Sequence, residues 1–107
     1  MSLSEMRLLV FFDLPVRTKE ERAQATRFRK FLIDDGYYMI QYSLYGRLCA
    51  TVENAKAHEK RLKYHLPLKG SIRSMLITEK QYANMKILLG QKKKKDKNII
   101  EGQMSFF

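Results

Sequence analysis

Leu8-Leu9-Val10-Phe11-Phe12-Asp13-Leu14-Pro15 is the stretch of sequence that decides the fold of this chain. Apolar residues fill residues 8–12 without alternating with polar ones, which predicts a strand buried on both faces of its sheet. Asp13-Leu14-Pro15 ends the strand, and Thr18 and Glu21 then form a capping-box pattern. This pattern predicts a helix from residue 18 to about residue 35, which Gly36 terminates.

Further elements follow along the chain. Residues 37–50 contain two predicted strands around a tight turn near Gln41-Tyr42-Ser43, and a helix is predicted over about residues 52–65. The remaining predicted elements are a strand over residues 71–78, a helical turn after the capping-box pattern at residues 78–81, and a short strand over residues 86–89. This order predicts an α+β domain of the ferredoxin-like βαββαβ type, with two helices on one face of a sheet. Because the first strand is apolar on both faces, we expect a second copy of the chain to cover the other face in a homodimer.

The chain divides into a domain over residues 1–90 and a C-terminal segment over residues 91–107. Lys92-Lys93-Lys94-Lys95 is a run of like charges, which predicts a loop. Residues 99–100 and 104–107 are mostly apolar again, so we expect an edge strand that docks on this sheet or on that of a partner.

Charge is the first indication of function. The chain has 21 Lys and Arg against 11 Asp and Glu, a formal net charge of +10, of which +3 belongs to the last 17 residues and +7 to the first 90. Such a field attracts DNA, RNA or an anionic membrane, although a solvated basic surface without a specific partner stays open. The longest apolar run, residues 8–12, is too short to span a bilayer. A single cysteine and an N-terminus without a signal-peptide pattern favour the cytoplasm.

Basic residues around the first helix are the candidate nucleic-acid contacts. Arg17 and Lys19 flank its N-terminus, where free backbone N–H groups favour a phosphate, and Arg22, Arg29 and Lys30 extend along it. We expect recognition of the duplex backbone without base-specific readout, with plain solubility as the alternative role.

Other polar residues are weaker candidates. His58 and His65 are interpreted as surface histidines, and Tyr42 and Ser43 as turn residues that can also face the end of the first strand.

Together, these motifs resemble a known family over about residues 6–90. The features that carry the resemblance are residues 8–15, Phe31-Leu32 through Gly36-Tyr37, Gln41-Tyr42-Ser43-Leu44-Tyr45, Leu66-Pro67 with Gly70, and Ile72-Arg73 leading to Thr78-Glu79-Lys80-Gln81. In this order and spacing they resemble CRISPR-associated protein two (Cas two), the small partner of the CRISPR integrase (Cas one). Residues 78–81 and the basic tail are most similar to the form found in type II systems.

The resemblance implies both a structural and a chemical role. Family members are homodimers that bridge two integrase dimers, and the assembly captures a duplex DNA prespacer and inserts it into the CRISPR array during spacer acquisition. They are also described as magnesium-dependent endonucleases that act on single-stranded RNA or on duplex DNA. The aspartate of the first strand, here Asp13, is the residue named for the metal, which makes it the candidate Mg²⁺ ligand and catalytic residue.

The residues around Asp13 favour the structural role. One carboxylate is a poor Mg²⁺ site, although a two-fold axis would bring two copies of Asp13 together. No general base is evident, and Asp13 before Pro15 also suits plain turn formation. We therefore expect mainly a scaffold, with a metal-dependent nuclease or a stand-alone RNA-binding ferredoxin-like domain as alternatives.

Overall fold

The computed structural model describes residues 5–89 of the 107-residue chain. Its elements in chain order are β1 (Met6–Asp13), α1 (Lys19–Asp34), β2 (Tyr38–Gln41), β3 (Leu44–Cys49), α2 (Val52–Lys63), β4 (Ser71–Thr78) and α3 (Glu79–Ala83). The predicted order is confirmed as far as α3, and α2 ends two residues earlier than expected. The edge strand predicted within residues 91–107 lies outside the described residues.

The sheet has four antiparallel strands in the order β2-β3-β1-β4. This order and the two helices that join β1 to β2 and β3 to β4 are those of the predicted ferredoxin-like fold. β1 is central because it pairs with β3 on one side, through Val10 opposite Tyr45, and with β4 on the other, through Asp13 opposite Ser71.

Both capping boxes predicted from the sequence are present. The Thr18 hydroxyl accepts a hydrogen bond from the Glu21 amide at 3.0 Å, and the Glu21 carboxylate accepts one from the Thr18 amide at 3.2 Å. Thr78 and Gln81 make the same reciprocal pair at the start of α3. Each box satisfies backbone donors that a helix start leaves free, so a local sequence signal sets where both helices begin.

The core lies between the helices and one face of β1. Leu8, Val10 and Phe12 point into it and are 1%, 0% and 4% exposed. Phe12 meets Phe28 of α1 edge-to-face, with 5.3 Å between the ring centroids, which is a favoured aromatic arrangement. Cys49 is buried in this core, as expected of a small apolar filler, and burial raises the pKa of its thiol.

The opposite face of β1 is covered only in part. Leu9 is buried against Gly46, whereas Phe11 is 36% exposed. At the Met6 end, the Arg7 guanidinium pairs with Glu79 of α3 at 2.8 Å and lies over the ring of Tyr82. The hydrogen bond from Arg7 lowers the pKa of the Glu79 carboxyl. Part of the cover that the sequence assigned to a second copy therefore comes from α3 of the same chain.

The prediction of a short strand over residues 86–89 is wrong. These residues have no strand conformation, because α3 leads the chain onto the face of the sheet and not to a free edge. Met85 and Ile87 instead border a cavity with Ile40 and Leu44 on that face. Within residues 5–89, no helix is long and apolar enough to cross a membrane.

Candidate nucleic-acid and metal site

Asp13 is the last residue of β1 and is exposed. It stands opposite Ser71 of β4 and borders the same surface depression as Ser43 and Arg73. The β2–β3 turn is held beside it because the Phe12 amide donates a hydrogen bond to the Ser43 carbonyl at 3.0 Å. Ser43 thus lies at the end of the first strand as well as in the turn, so the second of the two roles that the sequence left open for it is also available.

Glycine is required where the loop before β4 crosses the end of β1. Gly70 has φ of +113°, a conformation that residues with a side chain rarely adopt. A Cβ at this position would lie 2.7 Å from the Asp13 carbonyl oxygen and 2.7 Å from Leu14 Cδ2. Close backbone approach at Gly70 therefore sets the position of the Asp13 backbone.

Mg²⁺ would fit this place only if ligands from outside one chain completed its coordination. Magnesium binds through one or two carboxylates, waters and substrate phosphates. In the part of the chain that the structure describes, no group of three or more His, Cys, Asp or Glu residues is placed to hold a metal ion. One chain thus offers Asp13 alone, with the Ser43 and Ser71 hydroxyls in the same depression. A bound Mg²⁺ would activate water and neutralise phosphate charge.

Arg73 is a candidate residue that the sequence analysis missed. It pairs with Phe11 in the β1–β4 register, so it projects from the same face of the sheet as Asp13. An exposed guanidinium beside the carboxylate suits a phosphate group. Strand alternation identifies the face of Arg73 within β4, but only the register between β4 and β1 places it next to Asp13.

The N-terminus of α1 is less open to a phosphate than the sequence analysis assumed. The Glu21 carboxylate accepts hydrogen bonds from the amides of Arg17 at 2.9 Å and of Thr18 at 3.2 Å. These backbone hydrogen bonds lower the pKa of the Glu21 carboxyl. Because a carboxylate already lies at this helix end, we expect phosphate binding here to depend more on the basic side chains than on backbone N–H groups.

The basic side chains of α1 singled out above lie away from the core, except that of Arg29, whose guanidinium packs on the core residue Phe12. Lys19, Arg22, Arg29 and Lys30 fall within a stripe about 100° wide when projected down the helix axis. The buried residues Ala25, Phe28 and Leu32 lie on another side of the helix, and Arg29 is the basic residue nearest to them. We call these four residues, together with Arg17 just before the helix, the basic stripe.

Members of the basic stripe differ in their surroundings. Arg22 Nη1 donates to the carbonyls of Val16 and Arg17 at 3.1 Å, and Lys30 pairs with Asp34 at 3.2 Å while staying 73% exposed. Such an exposed i,i+4 pair contributes only a few tenths of a kcal/mol to stability, so the Lys30 ammonium can leave Asp34 and pair with another anion at little cost.

Tyr42, His58 and His65 all lie outside the depression that Asp13 borders. The Arg29 guanidinium lies over the Tyr42 ring, 3.8 Å from its centroid. His58 hydrogen-bonds the buried Asp35, and His65 stacks on Phe31 with 3.9 Å between ring centroids. Neither histidine borders the depression at Asp13. The interpretation of His58 as a surface histidine is wrong, because its side chain is 14% exposed and is held by Asp35, whereas His65 is exposed as expected.

Comparison with known proteins identifies the family. The family model described as CRISPR associated protein Cas2 matches residues 6–85. A CRISPR-associated endoribonuclease Cas2 of Ligilactobacillus salivarius (strain UCC118) is 50% identical over 96 residues, 90% of this chain and 95% of that protein. One of Acidovorax ebreus (strain TPSY) is 47% identical over 102 residues, 95% of this chain and all of that protein. The chain therefore belongs to the CRISPR-associated Cas2 family.

Proposed function

We propose that this protein is the DNA-binding scaffold of CRISPR spacer acquisition. As a homodimer, it bridges dimers of the CRISPR integrase (Cas one) and binds duplex prespacer DNA through the phosphate backbone. A cytoplasmic location and a type II system are parts of this proposal, and they rest on the single buried cysteine and on residues 78–81.

The observation that carries the proposal is the basic stripe, of which Arg17, Lys19, Arg22 and Lys30 are exposed. It is complete within one chain, and a protein that neutralises phosphates with Lys and Arg gains sequence-independent affinity for duplex. The stripe also belongs to a chain with a net charge of +10, whose field attracts polyanions over its whole surface.

A magnesium-dependent nuclease is the second candidate. Two observations favour it: the matched relatives are named endoribonucleases, and Asp13 lies in one depression with Arg73. Against it as the main role, Asp13 is the one carboxylate that borders the depression, so the rest of the metal's coordination has to come from phosphate, water or a second copy of Asp13. The metal site is therefore incomplete within one chain, whereas the basic stripe is complete.

One substitution separates the two candidates. Asp13→Asn keeps the shape of the side chain and removes its charge, so it should abolish most Mg²⁺ binding and lower magnesium-dependent cleavage of RNA or DNA by orders of magnitude. Spacer acquisition with the integrase from the same genome should stay near the wild-type level. The measurements are cleavage of labelled oligonucleotides and insertion of a prespacer into a CRISPR array.

Asp34→Asn is the matched control, because Asp34 is also an exposed aspartate but lies on α1 away from the depression. It should change neither cleavage nor acquisition. Loss of acquisition in Asp13→Asn, with the dimer and integrase co-purification intact, would overturn the scaffold proposal. Failure of the wild-type protein to co-purify with the integrase, with or without duplex, would overturn it as well.

A further inference from the structure

Arg29 is enclosed between two aromatic rings. Its guanidinium carbon lies 3.8 Å from the centroid of the Tyr42 ring and 5.2 Å from that of Phe12, and Nη2 donates to the Tyr42 carbonyl at 3.5 Å. Phe12 in turn belongs to the core and packs edge-to-face on Phe28. The Tyr42 ring is therefore the outermost layer of a stack that is anchored in the core.

The ring of Tyr42 stays available to a ligand. Although the guanidinium covers one of its faces, the residue is 67% exposed, so its other face and its edge are in contact with solvent. Arg29 Nε is buried and has no hydrogen-bond acceptor among residues 5–89, so contacts with the two rings, and not a hydrogen bond from Nε, hold this side of the guanidinium in place. The stack thus presents an open aromatic face in a fixed orientation.

The position of the ring points to nucleic acid as the ligand. Tyr42 precedes Ser43, which borders the depression that holds Asp13 and Arg73. Arg29 links the ring to the basic stripe on α1. A nucleic-acid strand whose phosphates contact these cations would bring its bases to the rim where Tyr42 lies.

We propose that the exposed face of Tyr42 is a stacking site for an unpaired nucleobase. Any base offers a π-face, so the site discriminates single-stranded from paired nucleic acid and not one sequence from another. A base inside a duplex already stacks on its neighbours and cannot use the ring. The inference deepens the proposed function: the protein would hold the single-stranded end of a prespacer, or an RNA strand, as well as duplex.

The test measures affinity for two probes by fluorescence anisotropy: a labelled single-stranded oligothymidine and a blunt duplex. Tyr42→Leu should weaken binding of the single strand by about 5- to 150-fold, the range measured for loss of one aromatic–base stack. Tyr42→Phe keeps the ring and should bind like the wild type. Neither change should alter affinity for the duplex.

Tyr64→Leu is the matched control, because Tyr64 is 75% exposed and lies outside the stack. It should leave both affinities unchanged. A second measurement does not depend on any variant: 2-aminopurine in a run of thymidines should lose fluorescence when the wild-type protein binds, because a stacked base is quenched.

Wild-type affinity of Tyr42→Leu for the single strand would overturn the inference while leaving duplex binding in place. Absence of quenching on bound 2-aminopurine would overturn it too. If the wild-type protein binds neither probe, the proposed function itself fails. The two proposals can therefore fail separately.

Discussion

Asp35 is the one charged residue that is buried within residues 5–89, and it joins three elements. Its carboxylate accepts hydrogen bonds from His58 Nδ1 at 2.9 Å and from Arg61 Nε at 2.8 Å, both on α2, while its carbonyl accepts one from Arg47 Nε of β3 at 2.8 Å. Burial raises the pKa of the Asp35 carboxyl, but the hydrogen bonds from His58 and Arg61 outweigh it and hold this pKa below its ordinary value.

Removing this carboxylate should destabilise the fold. We expect Asp35→Ala to lower the free energy of unfolding at pH 7 by about 1.5–3 kcal/mol, the usual contribution of hydrogen bonds to a charged group. Asp34→Ala, at a 62% exposed side chain whose partner Lys30 is also exposed, is the control and should stay within about 0.5 kcal/mol of the wild type. Urea unfolding measures both.

The pH dependence follows from the direction of the pKa shift. Because the pKa of Asp35 is lower in the folded than in the unfolded state, its contribution is fully present above the unfolded value of about 3.9 and is lost as the pH falls through the folded value. The difference between the wild type and Asp35→Ala should therefore shrink below about pH 4. A difference that is the same at pH 7 and pH 3 would contradict this account.

At the scale of elements, α1 combines two surfaces. Its inner side packs Phe28 and Leu32 on the sheet, and its outer side carries the basic stripe. A helix separates the two because residues three, four and seven positions apart share a side. Substitutions of the exposed basic residues should therefore leave the core unchanged.

The basic stripe predicts how the protein binds duplex. Replacing Arg17 and Lys19 together by Ala should lower affinity equally for unrelated sequences and reduce the slope of log affinity against log salt by about two units, one for each lost phosphate contact. Titrations at several salt concentrations measure the slope.

Lys56→Ala with Lys60→Ala is the matched control, since both lysines are exposed on α2 and the change removes the same charge. It should leave most of the affinity and the salt slope intact. If the control weakens binding as much as the change at Arg17 and Lys19, the net field binds DNA and the stripe does not contact it.

At the scale of the whole molecule, the sheet face opposite α1 and α2 is incompletely covered. Phe11, Leu48 and Met75 are 36%, 44% and 50% exposed, and the strand registers place all three on this face. Neighbouring exposed apolar side chains mark an interaction surface. A second copy of the chain, as the first strand led us to expect, would cover it.

We expect the wild-type protein to be a dimer at micromolar concentration. Met75→Glu places a charge on the open face and should shift the protein towards the monomer, and deletion of residues 99–107 should weaken the dimer or the integrase contact. Ile33→Glu, at a 52% exposed position of α1, is the control and should leave the dimer intact. Light scattering that finds a stable wild-type monomer would contradict the prediction.

Most of the fold was predictable from the sequence because its signals are local. The apolar run of β1, the pair Thr18 and Glu21 and the pair Thr78 and Gln81 each specify an element through neighbours in the chain. The order of these elements then left few arrangements other than the ferredoxin-like sheet. The same kind of local signal misled us at residues 86–89, since a strand also needs a free edge to pair with.

The details of the site depended on the tertiary structure. Nothing local relates Arg29 to Tyr42, Asp13 to Arg73, or Asp35 to His58, since each pair lies on different elements. Sequence alone determined the basic stripe and the position of Asp13 at a strand end, because both follow from the period of a single element. Strand register and helix packing decided which of these side chains meet, because contacts between elements form only when the whole core closes.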